Sequence, residues 1–226
     1  MSITAKSRSA APTKSHQRTS HATGNLLTFK AQPLALCITL LLAGYNNPLL
    51  AQESADGGPA MLVGSVFVVD GALHNGVALL DGGKIAAVRL KHELPNYGTF
   101  DEVRLFQPGP LPEPIVFRGI MIGLPICEDI WHADVCKHLA DFGAELFICI
   151  NGSPYEIDKD ALRIDGVAKR RASATGLPLA YLNRVGGQDE LVFDGASFVV
   201  NGDGSLAVQL KDWEEQEVTT HWTKTA

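Results

Sequence analysis

The stretch Ile120-Met121-Ile122-Gly123-Leu124-Pro125-Ile126-Cys127-Glu128-Asp129-Ile130-Trp131 decides how the chain reads. An apolar run ends in a single cysteine, and two acids and a tryptophan follow at once. The pattern predicts a buried strand whose last residue is handed to the first turn of a helix. A thiol at that junction faces the partial positive charge of a helix N-terminus, which favours the thiolate and makes it nucleophilic. Taken alone, the window favours the plainer alternative, a small buried core residue, which is the common fate of a free cysteine.

Downstream, Val135, Leu139 and Phe142 recur at i, i+4 and i+7, and Gly143 is placed as a helix stop. Residues 146–150 form a continuous apolar strand, so the unit is strand–helix–strand. It runs into Asn151-Gly152-Ser153-Pro154-Tyr155, a turn of the kind where α/β proteins place polar ligand-binding groups. Ser153 is equally placed to cap the next helix. That helix is predicted over 158–175, with Leu162 and Val167 facing inward and Gly176 and Pro178 ending it. Lys159, Arg163, Lys169, Arg170 and Arg171 read as its solvated face. Strands are predicted at 179–183, 191–193, 196–200 and 206–210, with a polar, flexible loop over 184–190 and an edge strand over 218–222.

Upstream, strands at 61–69, 77–80 and 85–90 are joined by Asp70-Gly71 and Asp81-Gly82-Gly83, an antiparallel meander. It delivers Lys91 to an irregular segment, 91–102, and a proline-rich loop follows at 108–114. Strands in mixed order with helices between them imply an α/β protein of two sheets, each covered by helices on its outer face.

The 226 residues suffice for one full core. A net charge of -6 argues against nucleic acid as a partner. Cys37, Cys127, Cys136 and Cys149 form no CxxC pair and no Cys/His metal spacing, so neither a metal nor a disulfide framework is expected and a reducing compartment fits. The charge is uneven: 1–52 contain Lys6, Arg8, Lys14, Arg18 and Lys30 but no Asp or Glu. The first thirty residues are Ser/Thr/Ala/His-rich, without apolar periodicity, and are expected to be disordered. An apolar stretch over 34–50 then reads either as part of the core or as an export signal cleaved after Ala51. The division expected is a basic tail and apolar stretch, 1–52, and a globular domain, 53–226.

Four segments stand together: 91–102, 125–131, 151–155 and 185–197. Lys91-His92-Glu93-Leu94-Pro95-Asn96-Tyr97-Gly98-Thr99-Phe100-Asp101-Glu102 and Gly186-Gly187-Gln188-Asp189-Glu190-Leu191-Val192-Phe193-Asp194-Gly195 are the most specific. In order and spacing they resemble the glutamine-hydrolysing domain of glutamine-dependent NAD+ synthetases, in the nitrilase or carbon–nitrogen hydrolase superfamily. The resemblance covers roughly 56–222. It implies a nitrilase-like α-β-β-α sandwich of two mixed sheets and a Glu–Lys–Cys catalytic set. Cys127 matches the nucleophile that attacks the side-chain amide of L-glutamine and releases ammonia through a thioester. Lys91 matches the lysine whose ammonium helps hold the oxyanion, beside the backbone N–H after the cysteine. Tyr97, Ser153 and Lys159 match glutamine-binding positions. The family implies cytoplasmic location, self-association into a homo-oligomer, no membrane, and transfer of ammonia to an NAD+ synthetase domain or chain.

Two departures qualify the expectation. No stretch matches the phosphate-binding loop of the synthetase half, so ATP, Mg2+ and deamido-NAD+ are expected to belong to a synthetase domain missing here. The family's base, a Glu in a Thr-Glu-Leu-x-x-x-Gly-Tyr context, meets Thr39 in Ile38-Thr39-Leu40-Leu41-Leu42-Ala43-Gly44-Tyr45. The sandwich is expected to be incomplete at its N-terminus. Three functions therefore stand: a glutaminase for NAD+ synthesis, an inactive glutaminase-like module lacking the base, or an amidase of the same superfamily with another substrate.

Overall fold

The computed structural model describes the strand 27–31, residues 54–55 and residues 59–223. Its elements are β1 (Leu27–Ala31), β2 (Met61–Val69), β3 (Ala72–Asp81), β4 (Lys84–Leu90), β5 (Ile115–Phe117), β6 (Ile120–Gly123), a 3-10 turn (Cys127–Trp131), α1 (Ala133–Asp141) and β7 (Leu146–Asn151). A helical segment, α2, then runs through Lys159–Ala161, a π-helical stretch Leu162–Ala168, and Lys169–Thr175. β8 (Leu179–Asn183), β9 (Val185–Gln188), β10 (Leu191–Asp194), β11 (Phe198–Val200), β12 (Leu206–Gln209) and β13 (Val218–Trp222) complete it.

A six-stranded sheet in the order β12-β11-β8-β7-β6-β5 forms the centre. Only β6, β7 and β8 run parallel, with Ile122 opposite Leu146 and Phe147 opposite Leu179; the flanking strands are antiparallel. The parallel strands are the ones joined through helices, as crossover connections require. Alternation sorts β7 between two cores. Phe147 and Cys149 point to Val135 and Leu139 of α1 and Val167 and Ala172 of α2. Leu146, Ile148 and Ile150 point to Val77 and Leu79 of the three-stranded β2-β3-β4 meander. The molecule is thus a helical layer on one sheet and a second sheet on the first sheet's other face. Among the described residues, helices cover the six-stranded sheet only.

The structure corrects several expectations. Phe142 is 51% exposed and Leu162 49%, although the helical period places both inward. Phe142 stands just past α1, stacked on His138, and Leu162 opens the π-helical stretch, where an extra residue shifts the face. The polar 184–190 segment is largely a hairpin, β9 against β10, rather than a flexible loop. β13 pairs along its length with β1, so 27–30 are not wholly without structure. Thr39, the apolar stretch 34–50 and the proposed cleavage after Ala51 lie outside the described residues. Among the described residues, no helix is long and apolar enough to cross a membrane.

Candidate active site

The parallel strands bring their carboxyl ends to one edge of the sheet, the position where α/β sheets bind ligands. A parallel bridge between Ile126 and Ile150 extends the β6–β7 pairing past β6 and sets Cys127 beside 151–153. Cys127 takes φ +48, a left-handed conformation that a residue with a Cβ adopts only at a cost of about 1 kcal/mol or more. The turn is fixed by Asp129, which is fully buried. Its carboxylate accepts N–H bonds from Ile126 (2.9 Å), His92 (3.1 Å) and Glu93 (2.7 Å). One side chain thereby ties the segment after Lys91 to the segment before Cys127. Burial raises this carboxyl to about 6 despite those three N–H groups and the Lys91 charge, which act the other way.

Lys91 ends the meander and is 1% exposed. Its backbone is clamped from both sides: its N–H donates to Asn75 O (2.8 Å), and its carbonyl accepts from Gly109 (2.7 Å). A Cβ at Gly109 would stand 2.5 Å from Leu90 Cβ, so this approach requires glycine. The ammonium donates to both carboxylate oxygens of Glu102, at 2.7 and 2.8 Å.

The thiolate expectation is overturned. Burial raises the Cys127 thiol above its ordinary value; the Lys91 charge and the Gly152 N–H lower it, and Glu102 and Glu128 raise it again. The cause is local: the cysteine opens a five-residue 3-10 turn, not the longer helix, which starts separately at Ala133. A short turn carries little dipole, and burial prevails. Burial thus favours the thiol form over the thiolate.

The other sequence-predicted residues separate into two groups. Tyr97, 57% exposed, donates its hydroxyl to Glu128 Oε2 at 2.8 Å, and burial and that carboxylate raise its pKa. Ser153 is buried and does not cap α2, whose cap residue is Asp158. Its Oγ accepts instead from Arg163 Nε at 3.1 Å. Lys159 is paired with Glu156 at the start of α2.

Arg163 contradicts its assignment to a solvated face: it is 1% exposed. Its guanidinium also donates to Ser153 O (3.0 Å), Pro154 O (2.9 Å), Asp160 (2.9 Å) and Asp194 (2.7 Å). Arg171 likewise turns inward to the carbonyls of Ile130 (2.9 Å) and Trp131 (2.6 Å), holding the end of the cysteine turn. Sequence reasoning missed Asp129, Arg163 and Asp194 as parts of the site. For Asp129 and Asp194 the available signal was the density of charge within the four motif segments; Arg163 lies outside them.

The carbon–nitrogen hydrolase family profile matches residues 35–222. A glutamine-dependent NAD(+) synthetase of Rhodobacter capsulatus is 48% identical over 169 residues, which are 75% of this chain and 30% of that protein. The chain thus spans about a third or less of the curated relatives it matches. The glutamine-dependent NAD+ synthetase of Acinetobacter baumannii, solved with ADP, superposes with a TM-score of 0.72 at 33% identity, covering 79% of this chain and 35% of that one. A carbon–nitrogen hydrolase of Helicobacter pylori G27 superposes with a TM-score of 0.66 at 27% identity, covering 77% and 64%.

Proposed function

The chain belongs to the carbon–nitrogen hydrolase family, and from that premise we propose that it carries a glutaminase site that supplies ammonia for NAD+ synthesis. The observation that carries the proposal is the meeting of Cys127, on a strained left-handed turn, with the buried Lys91 ammonium and the Gly152 N–H. Cys127 Sγ attacks the side-chain amide carbon of glutamine. Lys91 and a backbone N–H hold the oxygen as it becomes negative. The C–N bond then breaks, the thiol's proton leaves with the nitrogen as ammonia, and a glutamyl thioester remains. Water cleaves the thioester to glutamate and restores the thiol. Tyr97, Ser153 and Lys159 hold the amino-acid end of the substrate; Tyr97 does so through its bond to Glu128 and Ser153 within the network of Arg163. The ammonia passes to an ATP-using synthetase domain or chain that amidates deamido-NAD+, and the working form is a homo-oligomer.

Proton removal is the weak step. Where the resemblance places Glu, the chain has Thr39, which has no group able to accept the proton at neutral pH. Glu102 and Glu128 are the carboxylates whose charge reaches the thiol, but one is bound through both oxygens to Lys91 and the other holds Tyr97. Turnover is therefore expected to be slower by about 10²–10⁴ than with a dedicated base. The raised thiol and Thr39 together favour a second reading, a glutamine-binding module without turnover. Ammonia release from glutamine separates the two. Release by the wild-type chain above Cys127→Ala supports the glutaminase. Release only after Thr39→Glu supports the inactive module, and release in neither, with turnover of another amide, supports an amidase of different specificity.

A further inference from the structure

We propose that the rim formed by His92, Glu93, His132 and Asp134 binds a divalent transition ion of the zinc class. The four residues come from two segments that the fold brings together, the loop after β4 and the junction between the cysteine turn and α1. Both imidazoles approach the same carboxylate oxygen. His92 Nε2 is 3.8 Å from Glu93 Oε1, and His132 Nδ1 is 3.9 Å from it. Ligand atoms of Glu93, His132 and Asp134 all lie within 4.8 Å of one another. Donors around a tetrahedral ion at about 2.0–2.1 Å stand roughly 3.4 Å apart, so the two imidazole–carboxylate approaches need about 0.5 Å of contraction or less, and any other pair of the Glu93, His132 and Asp134 set at most about 1.4 Å.

The ring nitrogens that face away from the rim are what make this more than a surface charge cluster. His92 Nδ1 donates to Gly109 O at 2.8 Å, which fixes the tautomer and leaves Nε2 with its lone pair toward Glu93. His132 Nε2 lies 3.6 Å from Glu128 Oε1, a carboxylate that is itself buried and held by Tyr97. A metal-bound histidine characteristically gives its second N–H to a carboxylate or a carbonyl: His92 makes that bond to Gly109, and His132 has the Glu128 carboxylate 3.6 Å away as the nearby acceptor. The backbone is equally prepared. Asp129 holds the N–H groups of His92 and Glu93, and Asp134 Oδ1 accepts from Val135 at 3.1 Å, leaving its other oxygen for a ligand. Two imidazoles and two carboxylates suit zinc, cobalt or nickel better than magnesium or calcium, which take oxygen. The ion would stand beside Glu128, outside the proposed reacting atoms.

Calorimetric titration of the whole chain with zinc chloride in a non-chelating buffer tests the proposal, with cobalt(II) absorption as a second readout. One saturable zinc site is expected, with a cobalt spectrum free of any sulfur charge-transfer band. Combining His92→Ala with His132→Ala should weaken zinc at least roughly tenfold. Glu93→Gln, which leaves both rings intact, should do the same should the double variant lose its circular dichroism. Unchanged zinc affinity in Glu93→Gln or in the folded double variant would overturn the site. So would no zinc binding at millimolar concentration, a sulfur band, or equal displacement by magnesium.

Discussion

Two cations are buried at the motif segments, Lys91 before the cysteine turn and Arg163 beneath the 153–154 turn, and they are satisfied differently. Arg163 gives hydrogen bonds from all three of its nitrogens, to Asp160, Asp194, Ser153 and the Pro154 carbonyl. Among the described residues, Lys91 has a single partner residue, Glu102, which accepts two of the three N–H groups that an ammonium offers. The saturated cation has nothing left for a substrate and acts as a fastener for the 153–154 turn. Among the described residues the other keeps one N–H without an acceptor, and its charge reaches the thiol, the property an oxyanion requires. Equal burial therefore hides unlike surroundings: Arg163 fastens the turn beside the site, and Lys91 is the group proposed to act in it.

The largest expected effect lies on the saturated side. Arg163→Met strands Asp194 and Asp160 and should cost about 3–5 kcal/mol in urea unfolding. Arg163→Lys should recover little of it, because an ammonium cannot span partners on both sides of a planar fork. If the loss is confined to glutamine hydrolysis with stability unchanged, Arg163 is not the fastener. Lys91→Met should act the other way. It should lower kcat by about 10²–10³, the loss expected for one oxyanion donor, while the chain still folds.

Asp129 belongs to neither cation but joins the segment after Lys91 to the cysteine turn, and Asp129→Asn replaces an acceptor of three N–H groups with a half-acceptor. A cost of about 2 kcal/mol is expected. It carries a pH signature as well. The carboxyl is raised to about 6 in the fold, from 3.8 without it. Between those values the folded chain retains a proton that the unfolded chain has lost, so stability falls as pH rises through the window. Urea midpoints across that range should decline in the wild type more than in Asp129→Asn. Tyr97→Phe should be smallest, a loss of about 1 kcal/mol seen as a few-fold rise in KM with kcat nearly unchanged.

The strand pattern was largely legible. Apolar runs bounded by paired turn residues placed the meander and the 179–183 strand, because Gly and Asp at tight turns mark where a strand must end. The placement of Cys127 and Lys91 was legible as well, each following a strand within a specific motif. Arg163 was not. A helical basic run reads as a wet face, and nothing local indicates that Asp194, 31 residues later, will meet one member of it. Phe142 and Leu162 failed for a related reason: helix ends and a π-helical stretch break the 3.6 period that assigns faces. The Cys127 thiol was misjudged because burial, which a short window does not report, outweighs the field of one 3-10 turn.

The central claim is that Cys127 acylates. Intact mass and peptide mapping after acid quench of the chain with glutamine test it directly. The account predicts a glutamyl adduct on the Cys127 peptide, released by hydroxylamine, absent in Cys127→Ala and more abundant in Thr39→Glu. A chain that folds and binds glutamine yet shows no adduct in either the wild type or Thr39→Glu, or carries it on Cys149, would contradict it.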